Sequence, residues 1–188
     1  MLVILIIFLE KYLLLNLIID VSISKYLTVW SSNILKLEKV SKLMSNNIDA
    51  SVWQNLVDNA KQAYQQAYAP YSEFRVGAAA LTTDTKIVQG CNVENASYGL
   101  TVCAERNCIA QGVIHNPSNK TVEFTALVVY TEQEILTPPC GACRQVIAEF
   151  FPQDALIMAA NHLNQQQHWT VAELLPDAFT PYNLINKT

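Results

Sequence analysis

Three cysteines in two clusters constrain this chain more than any other feature. Cys103-Ala104-Glu105 is followed by Pro139-Cys140-Gly141-Ala142-Cys143, with Cys140 thirty-five residues after the glutamate. Three thiolates with one open coordination position make a catalytic zinc site, and a carboxylate two residues from the first thiol is placed to move protons. A fold that uses this pattern must bring two distant segments to one point. The spacing puts Cys103 in the first turn of one predicted helix, with Cys140 and Cys143 straddling the start of another. Helix N-termini favour thiolate over thiol.

Other readings of the cysteines are open. A lone C-x-x-C also serves as half a structural zinc site or as a redox pair, and Cys91 could close a fourth position. Glu105 and Pro139 favour the catalytic version. Three thiolates overcompensate a divalent ion, which blunts it as a Lewis acid. Arg106 and Arg144 adjoin the ligand segments, and hydrogen bonds from one or both to the sulfurs would restore positive character; ion pairing at the surface or in the core is their alternative role. Cys91 and Cys108 read as buried thiols. His115, His162 and His168 read as surface or capping residues.

Hydrophobic periodicity supplies the framework. Ser51–Ala69 reads as an amphipathic helix, ended by Pro70. Phe74–Thr82 and Lys86–Asn92 read as a hairpin whose turn lacks glycine. A helix from Thr101 or Val102 to about Val113 leads through a loop at Asn116–Asn119 to a buried strand, Val122–Tyr130. Gly141–Phe150 is helical and Ala155–Ala160 is another buried strand. Gln165–Gln167 reads as a turn, and Thr170 onward as a last short strand or helix. Strands alternating with helices around one sheet define an α/β domain.

The N-terminus stands apart. Met1–Leu9 is wholly apolar, but Glu10, Lys11, Asn16 and Asp20 interrupt the trend. No run reaches the roughly 18–20 uninterrupted apolar residues of a spanning helix, and no basic leader or cleavage site marks a signal peptide. Residues 1–43 are read as a disordered or artefactual upstream extension, and residues 44–188 as the catalytic domain starting at Met44. A membrane-associating helix and a targeting segment are the alternatives. From Met44 onward there are seven basic and thirteen acidic residues, a net charge of −6. That surface opposes binding to phosphate backbones. The five cysteines lie within 53 residues; an odd count without a secretory signal points to a reducing cytoplasm.

The pattern C-x-E…P-C-x-x-C is similar to the three-cysteine signature of zinc-dependent nucleobase deaminases. Four blocks sharpen the resemblance: Tyr71–Ala79, Gly90–Tyr98, Cys103–Arg106 and Pro139–Gln145. Together they resemble the homotetrameric cytidine deaminases over about residues 51–185. The resemblance implies a three-layer α/β/α fold with a five-stranded mixed sheet. It also implies one zinc ion per subunit and hydrolysis of cytidine and deoxycytidine to uridine and deoxyuridine with loss of ammonia. Zinc would activate water for attack on carbon 4, and Glu105 would shuttle protons. Asn92 and Glu94 would hold ribose hydroxyls and Phe74 would pack on the base. Backbone groups around Ala104 would read the pyrimidine edge. Phe179 would stack on the base in a neighbouring subunit of a homotetramer with interfacial active sites; anchoring the C-terminus is its alternative role. Asn107-Cys108 departs from the small residues usual at those positions. Blasticidin-type, polynucleotide and nucleotide substrates are the competing readings, with a catalytically silent zinc scaffold as the competitor from another class. The Asn92/Glu94 pair and the acidic surface favour a free nucleoside, with no nucleic-acid or membrane partner.

Overall fold

Helix α1, Ala50–Gln65, buries Leu56, Val57, Ala60 and Ala63 along one stripe, the spacing an amphipathic helix requires. It belongs to the computed structural model of the chain, which describes residues 48–115 and 123–185. The extension assigned to residues 1–43, the loop at Asn116–Asn119 and the strand start at Val122 lie outside the described residues. All elements below belong to the unit Asp49–Thr188.

α1 stops four residues short of the Ala69 expected from the sequence. Its last turn tightens, with Gln66 N–H bonding Ala63 O and Ala67 N–H bonding Tyr64 O. Tyr68 is then captured elsewhere: its N–H donates to Asn92 O at 3.0 Å, and its carbonyl accepts Glu94 N–H at 2.8 Å. That bridge lays the Tyr71–Phe74 loop beside Asn92–Glu94.

The predicted hairpin is present as β1, Gly77–Thr82, and β2, Ile87–Cys91, paired antiparallel. Its turn works without glycine because Thr85 adopts φ 65° while the Thr82 hydroxyl accepts Lys86 N–H at 3.0 Å. Phe74–Val76, expected in the strand, stays outside it. There the Asn92 side chain takes the place of a ladder, accepting Val76 N–H and donating to Phe74 O, both at 2.8 Å.

The remaining elements are α2, Ala104–Ile114; β3, Phe124–Thr131; α3, Gly141–Phe150; β4, Leu156–Asn161; β5, Gln166–Thr170; and the short helices α4, Val171–Leu174, and α5, Pro181–Ile185. The strand order is β2-β1-β3-β4-β5. Only β3 and β4 run parallel, with α3 as the crossover between them, so the sheet is mixed as expected.

Glycines let helices approach both faces of the sheet. A Cβ on Gly77 would collide with the Ala60 carbonyl and the Tyr64 backbone of α1, and one on Gly90 with the Ala104 carbonyl and the Cys108 backbone of α2. Gly77 and Gly90 sit at opposing parities of the β1–β2 register, so α1 and α2 lie on opposite faces. The α2 side holds the main core, where Ala78, Ala80, Ile109, Phe124, Leu127 and Ile147 are buried together. Phe124 stacks on Phe151 with ring centroids 4.9 Å apart.

Gln165–Gln167 is not the turn. Gln166 and Gln167 open β5, paired with Ala160 and Ala159. The reversal falls at Asn164, with φ 58°, where Asn161 Oδ1 accepts the N–H groups of Leu163 and Gln165. Asparagine tolerates this geometry and supplies the local bonds; an edge strand with its side chains in water tolerates glutamine. Thr170 ends β5 and caps α4 through a reciprocal bond pair with Glu173. Among the described residues no helix is long and apolar enough to cross a membrane.

Candidate active site

Cys103 is the N-cap of α2 and Cys140 the N-cap of α3, both with extended backbone (φ −70°, ψ 156° and φ −67°, ψ 165°). Cys103 thus stands one residue before the helical turn assigned to it, because its carbonyl, bonded to Asn107 N–H at 3.2 Å, opens the helix while its own backbone remains extended. Cys143 lies in the first turn of α3 and is buried. The three sulfurs lie within 4.8 Å of one another, and Cys103 and Cys140 are 3.9 Å apart. Zinc–sulfur bonds of about 2.3 Å in a tetrahedral shell space sulfurs about 3.8 Å apart, so the thiols fit that ion.

Electrostatics agree with the fit. Arg106 Nη2 donates to Thr101 O at 3.1 Å and lies 3.7 Å from Cys103 Sγ. Its Nε is buried with no protein partner, a cationic donor placed beside an anionic cluster. Hydrogen bonding from Cys143, supported by Arg106 and Cys140, holds the Cys103 thiol down at about 5 against burial. The Cys143 thiol is pushed up by that bond and by burial. Glu105 is 4% exposed; burial raises its carboxyl, and the negative charge of Cys103 adds to the effect.

Of the two arginines, Arg106 is the one beside a sulfur, and Arg144 bonds backbone carbonyls. Its Nε donates to Pro139 O at 2.8 Å and its Nη1 to Leu174 O at 3.2 Å. The loop before Cys140 and the end of α4 offer carbonyls in line with the guanidinium fork, and these take its donors. Cys91 differs from expectation. It is half-buried, with Sγ 3.5 Å from Gln66 O, and is absent from the thiol cluster. Cys108 is fully buried, bonds Val88 O at 3.3 Å, and has its thiol pushed up by burial.

A cleft of about 230 Å³ opens over the thiols, lined among others by Phe74, Asn92, Glu94, Cys103, Glu105 and Cys140. Asn92 uses one side-chain donor and one acceptor on the Phe74–Val76 backbone, leaving one of each. Glu94 Oε2 accepts Tyr71 N–H at 2.8 Å and Ser72 N–H at 3.3 Å, and Oε1 accepts the Ser72 hydroxyl. These bonds, that from Ser72 foremost, hold the Glu94 carboxyl below the usual range. Ala104 is buried as the first residue of α2, where a backbone N–H lacks an intrahelical partner.

Phe179 is not part of this cleft. It is 58% exposed, and its carbonyl accepts Gln145 Nε2 at 2.6 Å. Ser72, Thr101, Val129, Thr137 and Pro138 also line the cleft and were not singled out in the sequence. Ser72 and Pro138 were the most accessible of these, each lying beside a motif residue already marked. A larger cavity of about 390 Å³ lies at the edge of β2, among Gln66, Gln89, Cys91, Asn107 and Gln111. It holds neither the thiol cluster nor a carboxylate.

The sequence model of the cytidine and deoxycytidylate deaminase zinc-binding region matches residues 51–159, which contain all three clustered thiols and Glu105. The chain belongs to the cytidine and deoxycytidylate deaminase family. Among its relatives in that family, the cytidine deaminase of Halalkalibacterium halodurans is 46% identical over 68% of this chain and 93% of its own length. That of Sporosarcina psychrophila is 44% identical over 70% and 93%. The crystal structure of cytidine deaminase from Burkholderia pseudomallei superposes with TM-score 0.63 at 43% identity, covering 67% of this chain and 98% of that one. The cofactor of this deaminase-family chain is zinc, and Cys103, Cys140 and Cys143 form the cluster suited to it.

Proposed function

We propose that the chain catalyses hydrolytic deamination of cytidine and deoxycytidine to uridine and deoxyuridine, releasing ammonia, as a step of pyrimidine salvage. One observation carries the reading. A buried carboxylate next to three clustered thiols lines a cleft that an amide and a second carboxylate also line.

Cys103, Cys140 and Cys143 would hold zinc, which when bound supplies Lewis-acid activation of water near neutral pH. Glu105 takes a proton from the attacking water and delivers it to the ring nitrogen, then takes the second proton from the oxygen now on carbon 4 and gives it to the departing amine. Water adds across the double bond between carbon 4 and the ring nitrogen, the bond from carbon 4 to the amino group breaks, and ammonia leaves as the carbonyl forms. Burial suits Glu105 to both halves of this task, since a raised carboxyl pKa approaches the working pH of an acid–base catalyst. Arg106 offsets the negative charge of the thiolates, and Arg144 fixes the Pro139 carbonyl and hence the start of α3. Phe74 packs on the base and the backbone at Ala104 reads its edge. The spare donor and acceptor of Asn92 and the remaining acceptor site of Glu94 take sugar hydroxyls.

Phe179, exposed on its own protomer, serves a neighbouring subunit's cleft in a homotetramer. The catalytic domain begins near Met44, and residues 1–43 are dispensable. The working compartment is the cytoplasm. The net charge of −6 from Met44 onward supports a free nucleoside over a polynucleotide.

The test is ultraviolet absorbance with cytidine, deoxycytidine, CMP and blasticidin S. Loss of the cytidine band with the two nucleosides is expected. Turnover confined to CMP or blasticidin S would replace the substrate assignment, and normal turnover by Glu105→Gln would defeat the mechanism.

A further inference from the structure

Ser72 has an unusual set of partners. Its hydroxyl donates to Glu94 Oε1, and the same oxygen accepts the Phe74 N–H at 3.0 Å. Its own N–H reaches Glu94 Oε2. Glu73, between Ser72 and Phe74, has φ 57°, a conformation that a residue with a side chain keeps only where its surroundings hold it. The hydroxyl-to-backbone bond over Glu73 and the bond from Glu73 N–H to Ala69 O at 3.1 Å do that. Ser72, Phe74 and Glu94 all line the catalytic cleft. Ser72 therefore bonds both the carboxylate assigned to the sugar and the backbone of the ring assigned to the base.

We propose that Ser72 is a positioning residue that couples sugar recognition at Glu94 to the placement of Phe74 against the base. The proposal rests on the reading of Glu94 as the sugar-binding carboxylate. A carboxylate has about four lone-pair sites. Tyr71 N–H, Ser72 N–H and the Ser72 hydroxyl fill three, which leaves one for a sugar hydroxyl. A hydroxyl that donates to a carboxylate is polarised and becomes a better acceptor, so the state of Glu94 is felt in the bond to Phe74. A nucleoside without the 2′ and 3′ hydroxyls keeps only its 5′ hydroxyl and draws less on this link.

The test compares cytidine with 2′,3′-dideoxycytidine. In Ser72→Ala, kcat/KM for cytidine falls roughly 5–10-fold, the scale of one ordinary hydrogen bond, with KM moving more than kcat. For the dideoxy nucleoside the loss is smaller, and Ser72→Thr, which keeps the hydroxyl, restores the wild-type ratio. Equal losses for both nucleosides would overturn the coupling, as would no recovery in Ser72→Thr. A second measurement needs no turnover. Carbon-13 NMR titration of the Glu94 carboxyl and hydrogen exchange at the Phe74 amide are expected to shift together in Ser72→Ala, with the Glu94 midpoint rising and exchange accelerating. A Glu94 midpoint that stays put, or an unchanged Phe74 amide, would overturn the proposal. A wild-type protein inactive on both nucleosides would count against the deaminase reading alone, and the NMR measurements would then decide the role of Ser72.

Discussion

Burial and the charge of Cys103 both act on Glu105 to keep a proton within its reach. Glu105→Gln retains shape and hydrogen-bonding capacity but cannot cycle a proton. Its turnover is expected to fall about 10²–10⁴-fold with bound zinc unchanged, as measured by steady-state rates and metal analysis on the same sample. Glu94 gives a prediction of the opposite sense. Its folded carboxyl lies below the usual range because Ser72 and Tyr71 bond the ionised form. The stabilisation is complete above the unfolded value of about 4.3 and is lost as pH falls through the lower folded value. Glu94→Gln removes that titration, so Tm measured from pH 5 to pH 3 declines less steeply than in wild type. A parallel decline would show that the carboxylate does not anchor the loop.

At the scale of elements, α2 is placed by its approach to β2. Gly90→Ala would force a Cβ into the Ala104 carbonyl and the Cys108 backbone, displacing the helix start that carries Cys103. A cost of about 1–3 kcal/mol is expected for such overpacking, seen as a lower Tm together with weaker zinc retention. Gly99→Ala, with no atom near its would-be Cβ, leaves both unchanged. The metal cluster was legible in the sequence because cysteine spacing and helix starts are local properties. The β1–β2 hairpin was legible because the apolar run of β1 ends at a polar turn. β5 was not, since Gln166 and Gln167 carry no apolar alternation, and only the edge position that β4 provides makes a strand of them. The Arg144 partners were hidden for a related reason: Leu174 lies thirty residues away, and nothing in the local pattern distinguishes a carbonyl target from a sulfur.

At the scale of the whole molecule, the thiols come from two helix starts that meet only when the sheet is complete. Metal binding is therefore linked to folding. Chelation at neutral pH is expected to lower Tm and added zinc to restore it; Cys140→Ala should lose both the metal and the response to zinc. A protein begun at Met44 is expected to match the full chain in turnover and sedimentation, and loss of either would assign a role to residues 1–43. Phe179 stands apart from its own cleft and exposed, so specific activity that falls on dilution, together with Phe179→Ala activity that is low at every concentration, is the outcome expected of a site completed by a neighbour.

The double employment of Asn92 also bears on how this protein can evolve. Its amide closes the gap between Phe74 and Val76 and the residue also lines the cleft, so a replacement there would also loosen the loop bearing Phe74. Selection for new substrates is then channelled away from this position. Thr137, which also lines the cleft and bonds only Thr131 among the described contacts, is the freer site for adaptive change. Variation at Asn92 is expected to survive only alongside compensating changes in the segment that it braces.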